Sequence, residues 1–143
     1  MIELPLFIHV GMPKTGTSVL QNCVASGVGR GDLKSLFYPS VGRGNGIAHH
    51  ALAVASLNCD FHVREALISE LLIAASQTSN CEVRCGLISS ESLSNVVGQR
   101  VVARLIDFLR PLAGLFDVRI VAVVREFASF LESMYLQQSR FGR

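Results

Sequence analysis

The sequence lacks the segments that carry a chain into or across a membrane. No apolar run approaches the roughly 18 residues that span a bilayer, and the N-terminal Met1-Ile-Glu-Leu-Pro has no basic stretch before an apolar one. The net charge is only +2, and the Lys and Arg residues are scattered along the chain. We therefore expect a cytoplasmic protein with no membrane span and no nucleic-acid partner.

Cysteine is scarce as well. The four cysteines are irregularly spaced, and only Cys81 and Cys85 are close in sequence. No pair of His or Cys residues has the spacing of metal ligands, so we expect reduced thiols and no metal site.

The chain does contain enough apolar residues for one folded domain. It has 143 residues, of which 50% are hydrophobic, and no internal repeat or low-complexity linker divides it. Residues 1–143 are therefore expected to form a single domain.

Short apolar runs alternate with amphipathic segments along the chain. This order predicts a three-layer α/β fold, in which helices flank a parallel sheet and ligands bind at the carboxyl ends of the strands. The β-branched run from Val118 to Val124 predicts a strand that is buried on both faces. The strands are predicted at 6–10, 36–39, 85–90 and 118–124, and the helices at 17–25, 47–57, 62–76, from Ser92 or Ser94 to Pro111, and from Phe127 onward. In the first helix, Val19, Leu20, Cys23 and Val24 are predicted to face inward.

The glycine-rich stretch from Gly11 to Ser18 carries the main functional signal. It lies between the first strand and the first helix, where backbone N–H groups, the helix dipole and the hydroxyls of Thr17 and Ser18 would converge on one anion. The spacing of Gly11 and Gly16 fits the nucleotide-triphosphate motif G-x-x-x-x-G-K-[ST]. That motif needs a lysine where this chain has Thr17, and the lysine of this loop is Lys14.

Two stretches together resemble sulfotransferases that use 3′-phosphoadenosine-5′-phosphosulfate. Pro13-Lys-Thr-Gly-Thr-Ser18 looks like the 5′-phosphosulfate loop of that family, and a strand that ends in Arg125, with Ser133 eight residues later, is similar to its 3′-phosphate site. The resemblance implies a P-loop-like sulfotransferase fold with the phosphosulfate as co-substrate and no metal. Because the family continues well beyond this second site, the chain resembles an N-terminal fragment of that fold, with the C-terminal part missing.

The resemblance also implies roles for individual residues. Sulfuryl transfer requires that the leaving phosphate be neutralised and the acceptor deprotonated. Lys14 would stabilise charge on the leaving oxygen, while Arg125 and Ser133 would bind the 3′-phosphate. The residues that would hold the 5′-phosphate are Pro13, Lys14, Thr15, Gly16, Thr17 and Ser18.

The general base has two candidates. Glu91 directly follows the third predicted strand, which puts a carboxylate at the ligand edge of the sheet. His50, or its neighbour His49, is the other candidate, since histidine as a residue type accepts protons near neutral pH. His9 lies within the first strand, where we expect it to be a satisfied sheet residue.

Two other functions are compatible with parts of the sequence. One is a P-loop phosphotransferase or nucleotide triphosphatase that needs Mg²⁺, and the other is a non-catalytic remnant that binds nucleotide. The acceptor could be a small molecule, a carbohydrate or a lipid with a hydroxyl or amine group. The segment 42–58 has too few aromatic residues to indicate a sugar platform, and nothing indicates the oligomeric state.

Overall fold

A four-stranded parallel sheet forms the centre of the protein. The computed structural model describes residues 2–11, 16–43, 46–76, 83–94, 99–124 and 126–140. The strands are β1 (Ile2–Gly11), β2 (Leu36–Phe37), β3 (Cys85–Ser89) and β4 (Phe116–Val123), and their order in the sheet is β2-β3-β1-β4. The predicted α/β class with a parallel sheet is confirmed.

In the described part of the chain, five α-helices connect and follow the strands. Asp60 caps the start of the helix that follows it, because its carboxylate accepts hydrogen bonds from the amides of His62 and Val63 at 3.1 and 3.4 Å. The helices are α1 (Thr17–Gly29), α2 (His50–Asn58), α3 (Phe61–Ser76), α4 (Gln99–Leu115) and α5 (Phe127–Arg140), and a short 3₁₀ helix spans Glu91–Leu93.

The core lies between one face of the sheet and helices α2, α3 and α4. Leu4, Leu6 and Ile8 alternate along β1 and are at most 4% exposed, and they pack with buried side chains of those helices, among them Leu71 and Leu112. Full burial of each such side chain contributes about 1.5–3 kcal/mol to folding.

Strand order puts β1 where the direction of the connections reverses. The chain passes from β1 toward β2 in one direction across the sheet, and from β3 toward β4 in the other. Right-handed crossovers therefore put α1 on the face opposite to α4. The carboxyl end of β1 lies at the reversal point, which is where open α/β sheets bind ligands.

Pro111 does not end α4. The helix continues to Leu115, so the predicted stop at Pro111 is wrong. Phe108 and Leu112 lie on either side of the proline and are 2% and 0% exposed in the core. Continuing the helix buries both side chains, and this burial offsets the lost backbone hydrogen bond.

Strand β4 is an edge strand with much of its surface exposed. Among the strands that the structure describes, it pairs with β1 alone, and Ile120, Val121 and Val124 are 58%, 39% and 76% exposed. The predicted burial of the 118–124 run on both faces is therefore wrong. A β-branched run favours a strand, but the order of the strands decides whether neighbours cover it.

The inward face of α1 also differs from the predicted one. Val24 is buried as predicted, but Val19 and Leu20 are 68% and 43% exposed and Cys23 is exposed too, while Gln21 is buried instead. The amide of Gln21 donates a hydrogen bond to Ser89 Oγ of β3, so a polar contact with the sheet sets the rotation of the helix. The helix also extends past the predicted end at Ala25.

Two further predictions concern membrane-spanning segments and the state of the cysteine thiols. No helix in the described ranges is long and apolar enough to cross a membrane. Cys23, Cys59 and Cys85 are free thiols, and Cys81 lies outside the described residues.

Candidate functional site

The carboxyl ends of three strands meet at one edge of the sheet. β1 ends at Gly11, β3 at Ser89 and β4 at Val123, and the register pairs His9 with Ser89 and Gly11 with Val123. Because the strands are parallel, the residues that follow them lie at the same edge.

Helix α1 begins close to this edge, behind a glycine in the left-handed conformation. Gly16 has φ 79° and ψ 11°, and its carbonyl accepts hydrogen bonds from the amides of Val19 and Leu20 at 3.0 and 3.3 Å. Glycine adopts this backbone conformation without the strain that a Cβ would cause. Since Gly16 has no side chain to cap the helix, the leading N–H groups and the positive end of the dipole are suited to an anion.

The predicted phosphate loop is described in part. Gly16 precedes α1, Thr17 is its buried first residue and Ser18 is exposed. A strand therefore ends at Gly11 and a helix begins at Thr17, on either side of the predicted loop. Three of the predicted phosphate-binding residues lie outside the described residues: Pro13, Lys14 and Thr15.

His9 belongs to a buried polar cluster between β1, β3 and α1. Its Nδ1 lies 2.8 Å from Ser89 Oγ, and the side-chain amide of Gln21 donates to the same oxygen at 3.1 Å. The three residues are at most 3% exposed. His9 Nε2 is buried, and no residue in the described part of the chain offers it a hydrogen-bond partner. The prediction of a satisfied histidine is therefore wrong for this nitrogen. Burial lowers the pKa of His9 below 6.5, which favours the neutral ring.

His49 is hydrogen-bonded to the end of β3 and has a structural role. Its amide donates to the Ser89 carbonyl at 2.8 Å, and the Ser89 amide donates to its Nδ1 at 3.1 Å. The ring proton is therefore on Nε2, which lies 3.0 Å from the Pro39 carbonyl oxygen. Burial lowers the pKa of His49 to about 4. His49 is therefore not available as a general base near neutral pH.

His50 lies at the carboxyl edge with its side chain held by two serines. Its Nδ1 is 2.9 Å from both Ser90 Oγ and Ser92 Oγ, and the Ser92 amide donates to Ser90 Oγ at 3.2 Å. The residue is exposed, and its Nε2 has no hydrogen-bond partner among the residues described. One ring nitrogen is thus positioned by the protein, and the other is accessible.

Glu91 is the first residue of the 3₁₀ helix that follows β3. Its backbone carbonyl lies 2.7 Å from Ser94 Oγ, which is also 2.8 Å from the carbonyl oxygen of Gly11 at the end of β1. The turn is therefore attached to the start of the candidate loop. The carboxylate of Glu91 has no hydrogen bond or ion pair within the described ranges.

Arg43 brings a positive charge close to Tyr38 and His49. Its guanidinium lies 5.1 Å from the centre of the Tyr38 ring, and Tyr38 packs edge-on against His49 with ring centres 4.6 Å apart. Arg43 Nε is buried, and none of the described residues accepts a hydrogen bond from it. The side chain thus stands beside His49 and close in sequence to His50.

The two predicted 3′-phosphate residues are described unequally. Ser133 is a partly buried residue of α5. Arg125 lies outside the described residues, so its convergence with Ser133 stays a prediction. Within the described residues, no group of three or more His, Cys, Asp or Glu side chains could hold a metal ion.

Sequence reasoning missed the residues that support the histidines. Gln21 lies four residues after Thr17, so it occupies the same face of α1 as the first residue of that helix. A polar residue on the inward face was the signal for a contact with the sheet. Ser89 and Ser90 are the last strand residue and its successor, and their hydroxyls contact His9 and His50.

Comparisons with family models, with curated proteins and with solved structures found no match for this chain.

Proposed function

We propose that this chain is a sulfotransferase domain that binds 3′-phosphoadenosine-5′-phosphosulfate at the carboxyl end of β1. It would transfer the sulfuryl group to a hydroxyl or amine of a small-molecule, carbohydrate or lipid acceptor. The observation that carries the proposal is the passage from Gly11 through Gly16 into α1, with the lysine of the loop at position 14. An uncapped helix end at a sheet reversal is suited to the 5′-phosphate.

The residues at the end of β3 favour sulfuryl transfer over nucleotide-triphosphate hydrolysis. P-loop hydrolases place an Asp at the end of a central strand as a magnesium partner. Here Ser89 and Ser90 occupy the strand end, are 1% and 0% exposed, and bond to His9 and His50. The lysine that contacts the β- and γ-phosphates in those enzymes is replaced by Thr17.

The chemistry assigned to this site needs one cation and one base. Lys14 would stabilise the negative charge that develops on the bridging oxygen as the bond to sulfur breaks. We choose His50 over Glu91 as the base, because two serines position its Nδ1 and leave Nε2 for the acceptor proton. Arg125 and Ser133 would bind the 3′-phosphate that distinguishes this donor from AMP.

Calorimetric titration with adenosine 3′,5′-bisphosphate and with AMP tests the donor assignment. A guanidinium and a hydroxyl on the 3′-phosphate should favour the bisphosphate by roughly 2–4 kcal/mol. Arg125→Ala should remove most of this preference. Arg119→Ala is the matched control, because Arg119 of β4 already pairs with Asp117 at 2.7 Å. Equal affinities for the two nucleotides would refute the assignment.

Transfer itself is measured with donor labelled in the sulfuryl group and a panel of alcohols, amines and sugars. Label should reach an acceptor without a requirement for added Mg²⁺, and Lys14→Ala should lower the rate by at least about 10²-fold. Hydrolysis of ATP with strict dependence on Mg²⁺ would favour the triphosphatase instead. Nucleotide binding without transfer to any acceptor would favour the non-catalytic remnant.

A further inference from the structure

The cluster around His9 contains a polar atom whose burial the fold alone does not explain. His9 is 3% exposed, and its Nε2 lies in the interior without a hydrogen-bond partner among the described residues. Leaving such an atom unsatisfied typically costs about 1–3 kcal/mol. A ligand at this position would remove that cost.

One arrangement of protons in this cluster leaves a hydrogen-bond donor unpartnered. Gln21 Nε2 donates to Ser89 Oγ at 3.1 Å, and the Ser89 hydroxyl lies 2.8 Å from His9 Nδ1. When that hydroxyl donates to Nδ1, the neutral imidazole carries its hydrogen on Nε2. In this tautomer the unpartnered atom is a donor, and a donor recognises an anion.

This donor points to the junction between β1 and α1. A Cβ placed on Gly11 would lie 3.3 Å from His9 Nε2 and 2.6 Å from Thr17 Oγ1, so both side chains converge on the backbone of Gly11. Thr17 is the first residue of α1, a helix of 13 residues whose preceding Gly16 provides no side-chain cap. A glycine at position 11 permits this close approach, because a Cβ there would clash with the Thr17 hydroxyl.

We propose that His9 is an anion-binding residue, whose Nε2–H donates to an oxygen of the phosphate group held at the N-terminus of α1. The chain of contacts from Gln21 through Ser89 positions the ring, and the proposal requires the tautomer with hydrogen on Nε2. A neutral donor recognises the phosphate without adding another charge to the buried site. This inference rests on the proposed function for the identity of the ligand, the 5′-phosphate of the nucleotide donor.

The direct test is nitrogen-15 NMR of the imidazole in the unmodified protein. The free protein should show His9 as the tautomer with hydrogen on Nε2, and adenosine 3′,5′-bisphosphate should shift the Nε2 and Hε2 resonances. His62 lies on the exposed surface of α3 and is the internal control. Hydrogen on Nδ1, or resonances that bound nucleotide does not change, would overturn the inference.

Calorimetry with three probes separates this inference from the proposed function. His9→Phe should weaken the binding of AMP, of adenosine 3′,5′-bisphosphate and of inorganic pyrophosphate by a similar factor of about ten. This factor corresponds to the loss of one hydrogen bond to a charged group. His9→Gln keeps an N–H donor near the same place and should lose less affinity for the probes. His62→Gln should bind all three probes as the unmodified chain does.

The outcomes are distinct. If His9→Phe is folded and binds all three probes as the unmodified chain does, the inference about His9 is wrong. If AMP and the bisphosphate bind equally while His9→Phe still weakens both, the 3′-phosphate assignment fails and the role of His9 stands. A role for His9 in folding alone would lower stability in both His9 variants without changing the affinity of the folded protein. An unmodified chain that binds none of the three probes overturns the inference as well.

Discussion

The backbone of Ser89 and the ring of His49 are joined by two reciprocal hydrogen bonds. The Ser89 amide donates to His49 Nδ1 at 3.1 Å, and the His49 amide donates to the Ser89 carbonyl at 2.8 Å. The side chain of Ser89 contacts His9 on one face of the sheet. A single residue at the end of β3 thus connects a structural histidine to the proposed anion-binding histidine. The pairing requires His49 to be neutral, because a proton on Nδ1 would oppose the amide.

Acid should therefore unfold the protein through His49. The unfolded chain binds a proton with a pKa near 6.5, whereas burial lowers the pKa of folded His49 to about 4. Below pH 6.5 the unfolded state binds more protons, so the free energy of unfolding should fall between pH 6.5 and 4, by about 3 kcal/mol from His49. His9 adds to the fall just below pH 6.5, because burial lowers its pKa in the same direction. Glu70, with a pKa lowered from 4.5, adds to it only at more acid pH.

Urea unfolding at a series of pH values measures this effect. His49→Gln should be less stable at pH 7 but should lose most of the pH dependence above pH 4.5. His62→Gln, which changes an exposed histidine, should keep the slope of the unmodified protein. A slope that survives in His49→Gln would show that other groups cause it.

Glu70 should stabilise the segment that leads from β2 to the site. Its two carboxylate oxygens accept hydrogen bonds from the amide and hydroxyl of Ser40, both at 2.8 Å, and from the amide of Val41 at 2.9 Å. Glu70→Ala removes the acceptor of two backbone N–H groups and should lower the free energy of unfolding by about 2 kcal/mol. Glu65→Ala is the control on the same helix, because the Glu65 carboxylate is exposed and its pair with Arg64 should contribute less than about 1 kcal/mol. Equal effects of the two variants would contradict this role.

Much of the fold could be predicted from the sequence because local patterns determine strands, helices and their order. Strand β3 and the start of α5 lie where their patterns indicated. Long-range packing decided what local patterns could not. Pro111 stays helical because Phe108 and Leu112 are both needed in the core, and no local rule weighs that burial against the proline.

The candidate site likewise combines local features, which the sequence predicts, with long-range contacts, which it does not. The strand, the glycine turn and the helix start between Gly11 and Thr17 are local features, and sequence spacing indicated them. The contacts of His9 with Ser89 and of His50 with Ser90, at the end of β3, join residues 80 and 40 positions apart. Such contacts depend on which strands become neighbours, and that information is not local.

The positions of β1 and β4 in the sheet predict different effects on stability for substitutions at two paired isoleucines. Ile8 of β1 and Ile120 of β4 are direct partners in the sheet register, but Ile8 is 0% exposed and Ile120 is 58% exposed. Ile8→Thr should lower the free energy of unfolding by at least about 2 kcal/mol, because it removes buried methyl groups and buries a hydroxyl. Ile120→Thr keeps a β-branched residue on an exposed edge and should change it by about 0.5 kcal/mol or less. Denaturant unfolding of both variants checks the contrast. A large loss from Ile120→Thr would mean that β4 is covered in the folded protein.

The last prediction separates the two candidate bases. His50→Ala should lower the transfer rate by about 10²–10⁴-fold, the usual contribution of a general base, and should leave the affinity for adenosine 3′,5′-bisphosphate unchanged. Glu91→Gln keeps the shape of the side chain and the start of the 3₁₀ helix, so it should change the rate only a few-fold. Ser92→Ala removes one of the two hydroxyls that hold Nδ1 of His50 and should have an intermediate effect on the rate. His62→Ala is the matched histidine control and should transfer normally. A large loss of rate in Glu91→Gln with normal transfer by His50→Ala would identify Glu91 as the base.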